Sequence, residues 1–163
     1  MIYTDILNNI GEEREIVRAF VVKPQEKLEI TTEMKFMAPN TYGNTIVKVV
    51  VMDGGKLDLN GLIKIGKDAV GANAFLRQNI LLLGENALAI ARPELEIETD
   101  DVKASHAMTV GQLNEEELFY LQSRGITKKK AIKILTKAFF AEIIDRVSKD
   151  DRQNILTYFK SNK

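Results

Sequence analysis

Cysteine is absent from the 163 residues, and histidine occurs once, at position 106. Without cysteine there are no disulfides, no thiolate nucleophile and none of the Cys clusters that hold zinc or iron-sulfur centres. A metal bound here would draw on His106, on carboxylates or on another chain's ligands. Net charge is absent too: 23 Lys and Arg balance 23 Asp and Glu, leaving no long-range field to draw the chain to nucleic acid or an acidic membrane. No stretch of about 18 apolar residues occurs. Residues 1–10 include Asp5 and lack a basic region ahead of an apolar core. A soluble cytoplasmic protein is expected, with neither nucleic acid nor membrane as partner. Gly61, Gly66 and Gly71 are evenly spaced, but the Lys-Ser/Thr ending of a phosphate loop is missing. There is no Gly-x-Ser-x-Gly, and one histidine without cysteine leaves few ways to build a nucleophile and its base.

What is present is a hydrophobic content of 45%, enough for one core with a small appendage. Residues 28–108 break into strand-sized apolar runs. The run 45–52 (TIVKVVVM) is rich in β-branched residues, and Asp53-Gly54-Gly55 supplies a turn after it. Further runs lie at 56–60, 62–65, 69–74, 79–83, 87–91, 95–98 and 102–107, several separated by Gly66-Lys67-Asp68, Gly84-Glu85-Asn86 and Thr99-Asp100-Asp101. Such punctuation fits a sandwich or a coiling solenoid; no exact repeat decides between them.

After Gly111 the pattern becomes helical. Asn114 with Glu117 forms a capping-box-like start, and Gly125 stands where a C′ glycine ends a helix, predicting a helix over 115–124. Thr127 caps a longer one, carried to 147 by Ile132, Leu135, Phe139 and Ile143. Asp150 and Asp151 are placed to cap a last helix bearing Ile155, Leu156 and Phe159. The division is a β region over 1–112 and helices over 113–163. Three short helices cannot bury both faces alone, so they must pack on the β body or on another protein.

Strand alternation puts Val102, Ala104, His106 and Met108 on one face. The ordinary reading of His106 is a buried or half-buried imidazole bonded to a backbone carbonyl; the functional reading is a metal ligand or proton carrier. Glu94, Glu96 and Glu98 read as a solvated face with Leu95 and Ile97 inward, or as carboxylates that Asp100 and Asp101 would join around a hard cation. Lys128-Lys129-Lys130 reads as a solvated face or as a contact for an acidic partner.

An extended set of residues carries a resemblance. From about Gly61 it runs through Asn79-Ile80-Leu81-Leu82-Leu83, Pro93-Glu94-Leu95-Glu96-Ile97, Asp100-Asp101-Val102-Lys103, Ser105-His106 and Thr109-Val110-Gly111-Gln112-Leu113. Leu118-Phe119-Tyr120-Leu121 and Ser123-Arg124-Gly125-Ile126 complete it. In order and spacing this stretch resembles the C-terminal part of the SufB/SufD family of iron-sulfur cluster assembly proteins, and Lys103, Ser105 and Thr109-Val110-Gly111 make it SufD-like. Residues before about Gly54 match loosely.

The resemblance implies a mainly β fold, a right-handed parallel β-helix followed by a small C-terminal α-helical subdomain, and a scaffold instead of an enzyme. It implies docking of a SufC-like ABC ATPase on the helical part, through Leu118, Phe119, Tyr120, Arg124, Gly125 and Ile126, with the helices at 115–124 and 128–147 as the docking elements. It also implies pairing through the β-helix, with a SufB-like subunit or with a second copy as a dimer, and it makes His106 an interface residue near iron. SufD-like members carry a cysteine two residues before this histidine, and SufB-like members a glutamate directly after it. Here those positions are Ala104 and Ala107. The expectation is therefore that no cofactor is bound stably and that a cluster is held only transiently or on a partner. The chain reads as a shortened SufD-like paralogue or a fragment. One alternative is a degenerate homologue that only oligomerises as a structural protein. The catalytic rival, a polysaccharide-acting β-helix, needs an exposed carboxylate and cation constellation together with secretion.

Overall fold

The computed structural model describes residues 1–161. Its strands are β1 (Ile2–Leu7), β2 (Glu13–Val22), β3 (Lys27–Phe36), β4 (Tyr42–Met52), β5 (Lys56–Ile65), β6 (Asn73–Leu83), β7 (Leu88–Ile97) and β8 (Lys103–Gln112), followed by helices α1 (Glu115–Ser123), α2 (Lys128–Ala141) and α3 (Lys149–Ser161). Strands alternate between two sheets, ordered β1-β3-β5-β7 and β2-β4-β6-β8. All six strand pairings are parallel. Each strand thus stacks on the one two before it, and the chain coils into a β-solenoid of about four turns. Ile2 lies beside Thr31, 29 positions on, and Lys56 beside Leu88, 32 positions on. This period escaped the sequence because only the in-out alternation and the corners recur, not the residues.

Several sequence boundaries change. The runs 56–60 and 62–65 are halves of β5, 87–91 and 95–98 belong to β7, and 79–83 is the second half of β6. The run 69–74 is mostly a corner, with Ala69 and Ala72 buried as plugs. β1 and β2 precede the region read as strands. Gly61 and Pro93 looked like breaks but are neighbours in register at mid-strand. Leu88 donates its backbone N–H to Gly55, just ahead of β5, and Glu98 donates to Ile65 at the end of β5, so by alternation the odd residues of β7 face its free edge, and Pro93 removes no ladder bond.

Two apolar clusters fill the lumen. One gathers Phe20, Ile30, Val47, Val49, Leu57, Leu59 and Ile80; the other gathers Leu7, Met34, Phe36, Ile63, Ile65 and Leu76. Buried Thr32, Thr45 and Gln78 lie in the same lumen and belong to neither.

A third cluster lies outside the lumen, where Val17, Ala19, Ile46, Val50 and Leu81 pack against Phe140, Ile143 and Ile155. The helical third thus uses the β body as its core partner. β4 is covered on both faces, which is why its sequence reads as a nearly unbroken β-branched run.

The helix predicted over 128–147 ends at Ala141. Just beyond it, Glu142 turns to the sheet and accepts from Lys48 Nζ at 2.8 Å, while the following turns still bury Ile143. Ser148, not Asp150 or Asp151, caps α3: its hydroxyl accepts from the Asp151 N–H at 3.1 Å. The Asp151 carboxylate accepts instead from the Ala19 N–H of β2 at 3.3 Å. β2 ends its sheet, so this carboxylate satisfies an edge donor that has no strand beside it.

Candidate functional site

The last turn of the solenoid, β7 and β8, ends both sheets. Among the described residues no strand stacks on it. Its lumen-facing side chains therefore form a rim: Leu95 and Ile97 on β7, Met108 and Val110 on β8, each more than a third exposed. The two free edges differ. Lys103 donates its N–H to Ala72, so alternation turns Ala104, His106, Met108, Val110 and Gln112 toward the open side with every N–H and C=O unpaired by a strand. β7 has Pro93 in the middle of its free edge, flanked by the outward-facing Arg92 and Glu94. β8 is ready to accept a strand, and β7 is blunted.

His106 stands on this rim, beside Leu76 of β6. The ordinary expectation of a buried or half-buried, bonded imidazole is wrong here. Its alternation is the inward one, as expected, but the absence of a turn above leaves the ring exposed. Two residues earlier, Ala104 is half-buried against the Leu76 cluster, so the position where the resemblance led one to expect a cysteine does face the lumen. Ala107 faces the opposite way.

Among the described residues no three His, Asp or Glu side chains gather where a metal ion could sit. The carboxylate row on β7 is on the outer face: Glu96 and Glu98 approach Lys64 Nζ at 2.8 and 4.0 Å. Glu96 raises the Lys64 ammonium above its ordinary value by hydrogen bonding and by charge. Asp101 serves as a corner, accepting through its carbonyl from the Gly71 N–H.

The second feature is α1. Asn114 Oδ1 accepts from the N–H groups of Glu116 and Glu117 at 2.8 and 3.3 Å. At the other end Gly125 has φ +81°, its N–H bonds Gln122 and the Ile126 N–H bonds Leu121, a Schellman closure. No residue of α1 is buried. The sequence-predicted set divides in two. Leu118 and Ile126 are half-buried, Leu118 lining a cleft of about 500 Å³ with Leu82, Leu83, Leu113 and Ile132. Phe119, 73% exposed, and Tyr120 project outward, with the Arg124 guanidinium 5.2 Å from the Tyr120 ring centre. Gly125 acts through the backbone. Lys128 and Lys129 border the same cleft. Position 106 and the α1 face are thus separate features on one chain.

Sequence reasoning passed over Lys48 and Gln78 and read Asp151 only as a helix cap. Lys48 interrupts the β-branched run because it faces the helices, bonding the Phe139 carbonyl and Glu142 and lying 5.1 Å from the Phe139 ring. Lys48 in turn holds the Glu142 carboxyl below its ordinary value. Asp151 anchors α3, and burial pushes its carboxyl upward. Gln78 sits in the lumen with both amide atoms unpartnered. The available signal was a polar residue at an inward position of an apolar strand.

A parallel β-helix with helices on one outer face and an open terminal turn is the class of protein that fold and site define. Residues 3–139 match the family model described as SUF system FeS cluster assembly, SufBD core domain. The chain belongs to that family, and the match reaches back to Tyr3, well before the Gly54 limit read from the sequence.

Among curated relatives, the iron-sulfur cluster assembly protein SufD of Escherichia coli (strain K12) is 41% identical over 98 residues, covering 60% of this chain and 23% of that protein. SufD of Bacillus subtilis (strain 168) is 34% identical over 131 residues, covering 80% of this chain and 30% of that protein. SufB of the same organism is 31% identical over 107 residues, covering 66% and 23%. The chain spans less than a third of the length of these relatives.

Proposed function

We propose that this chain is a scaffold subunit of a SUF iron-sulfur assembly. It pairs through β8 with a second SufB/SufD-type chain, either a SufB-like subunit or another copy, and presents α1 with the start of α2 to a SufC-like ABC ATPase. The observation that carries the reading is the pair of unequal edges: ten residues of β8 without proline, beside a β7 edge interrupted by Pro93. Strand addition to an exposed edge supplies main-chain hydrogen bonds, and the rim residues supply the apolar contact. His106 lies within that joint.

With Ala104 and Ala107 beside it, one imidazole offers a single ligand to iron, so the nascent cluster belongs on the partner or is touched only in passing. The chain is a non-catalytic part of a cytoplasmic machine. Light scattering of the chain alone and with a SufB-like subunit, followed by capture of a SufC-like ATPase, tests both joints. A chain that stays single in both mixtures and captures no ATPase would sink the proposal.

The absence of both companion ligands favours a second reading, an oligomerising structural homologue without a part in cluster assembly. It predicts a stable dimer indifferent to His106→Ala and to the ATPase. Iron-sulfur reconstitution followed by absorbance separates the two, and a cluster held stably by the isolated chain contradicts both.

A further inference from the structure

Near the open end of the lumen the hydrogen-bonding side chains of Gln78 and His106 lack partners, and the other buried orphan among the described residues, Arg18 Nε, lies on β2 at the far end of the coil. Gln78 is 0% exposed, and neither Oε1 nor Nε2 meets a donor or acceptor. The His106 imidazole, exposed on the rim, makes no hydrogen bond with the described residues. They occupy adjacent strands on the same inward face: Leu76 pairs with His106 and Gln78 with Met108. One strand spacing and two residues separate their backbone positions by about 8 Å, within the joint reach of an amide and an imidazole side chain.

The opposite wall favours this placement. Gly61 faces Gln78, and a methyl group there would lie 2.5 Å from Nε2, so glycine keeps room for the amide at the centre of the lumen. Around the rim near His106 the remaining inward side chains are Ala104, Met108, Val110, Pro93, Leu95 and Ile97, none of which hydrogen-bonds strongly, and the inward amide of Gln112, beside Leu82, stands six residues along β8 from His106, about 20 Å away.

While the mouth is open, water satisfies His106. A strand added to β8 takes up the free backbone groups, covers the rim and removes that water, leaving two buried orphans that each supply what the other needs. We propose that Gln78 is the positioning residue of His106: on pairing, its amide oxygen accepts the imidazole N–H and leaves the other ring nitrogen as a free acceptor toward the second chain. The inference rests on the pairing proposed above for β8. It gives the lone histidine a defined tautomer at the joint, which is how a second group commonly decides what an imidazole presents.

Because His106 is the sole histidine, nitrogen-15 resonances of the imidazole report on it without ambiguity. They are to be recorded on the full chain at a pH where the ring is neutral, with light scattering on the same samples. In the paired chain one tautomer should dominate. Gln78→Met, apolar and of similar length, should reduce the tautomer ratio by about fivefold, the worth of one hydrogen bond. Gln78→Asn, one methylene short, should do the same and guards against misfolding of a single variant. Equal ratios in the paired wild-type and variant chains overturn the inference and leave the pairing intact. A chain that stays single, alone and with a SufB-like subunit, overturns the pairing and the inference with it.

Discussion

Gly61 and Gln78 show how a side chain and a missing one organise the lumen together. A Cβ at position 61 would meet Gln78 Nε2 at 2.5 Å and Leu76 Cδ2 at 2.7 Å. Gly61→Ala should therefore cost about 1–3 kcal/mol by overpacking, read as a lower urea midpoint with an unchanged slope. Gln78→Met should act in the opposite direction in the unpaired chain. It removes two unsatisfied polar atoms from an apolar interior and should raise stability by about 1 kcal/mol in the same assay. A residue that lowers the stability of the single chain and steadies a histidine in the pair is the signature sought. In the sequence Gly61 was legible as a break between two runs and as a spacing that fails to make a phosphate loop, and its meaning comes from what stands across the lumen.

At the scale of elements, β8 and α3 make separate predictions. Odd residues of β8 bond β6, and even ones face the free edge, so proline at the two parities should have different effects. Met108→Pro should leave the single chain folded and abolish pairing in light scattering; Ala107→Pro should break the ladder and cost about 3 kcal/mol. Equal effects would refute the assigned edge.

α3 is held by Asp151 on the Ala19 N–H. Burial raises this carboxyl in the folded chain, so the folded state holds its proton more tightly than the unfolded chain does. Its contribution to stability is largest below the ordinary carboxylate range, declines as pH rises from there through the raised value, and is flat beyond. Asp151→Asn keeps an acceptor for Ala19 and removes that decline, so its stability relative to wild type should rise with pH in urea titrations across this window. Glu142, lowered by Lys48, has the opposite sign: its contribution is lost as pH falls through the depressed value.

Across the whole molecule, the β8 edge and the α1 face are independent. Phe119→Ser with Tyr120→Ser should weaken ATPase capture at least tenfold while changing stability by less than about 0.5 kcal/mol per site, because both rings are exposed. Pairing should be unaffected, and the melting temperature of the wild-type chain should rise with the concentration of whichever chain pairs at β8, its own or a SufB-like subunit's.

Local chemistry sufficed to read the strand-rich region, the Asn114 start and Gly125 end of α1, the Thr127 cap and the lineage in residues 61–126. Those signals lie within a few residues of the groups they govern: turns, caps and alternation are short-range. The sequence by itself also determined that no thiolate is available beside His106. Tertiary structure alone decided that Gly61 and Pro93 are neighbours, that Lys48 bonds the C-terminal end of α2, that the Asp151 carboxylate serves an edge strand and not a cap, and that His106 is exposed instead of buried. Each depends on which residues about thirty positions apart stack in the coil, or on a helix meeting a distant strand. Alternation tells which way a side chain points, and only the presence or absence of a turn above it tells what it meets.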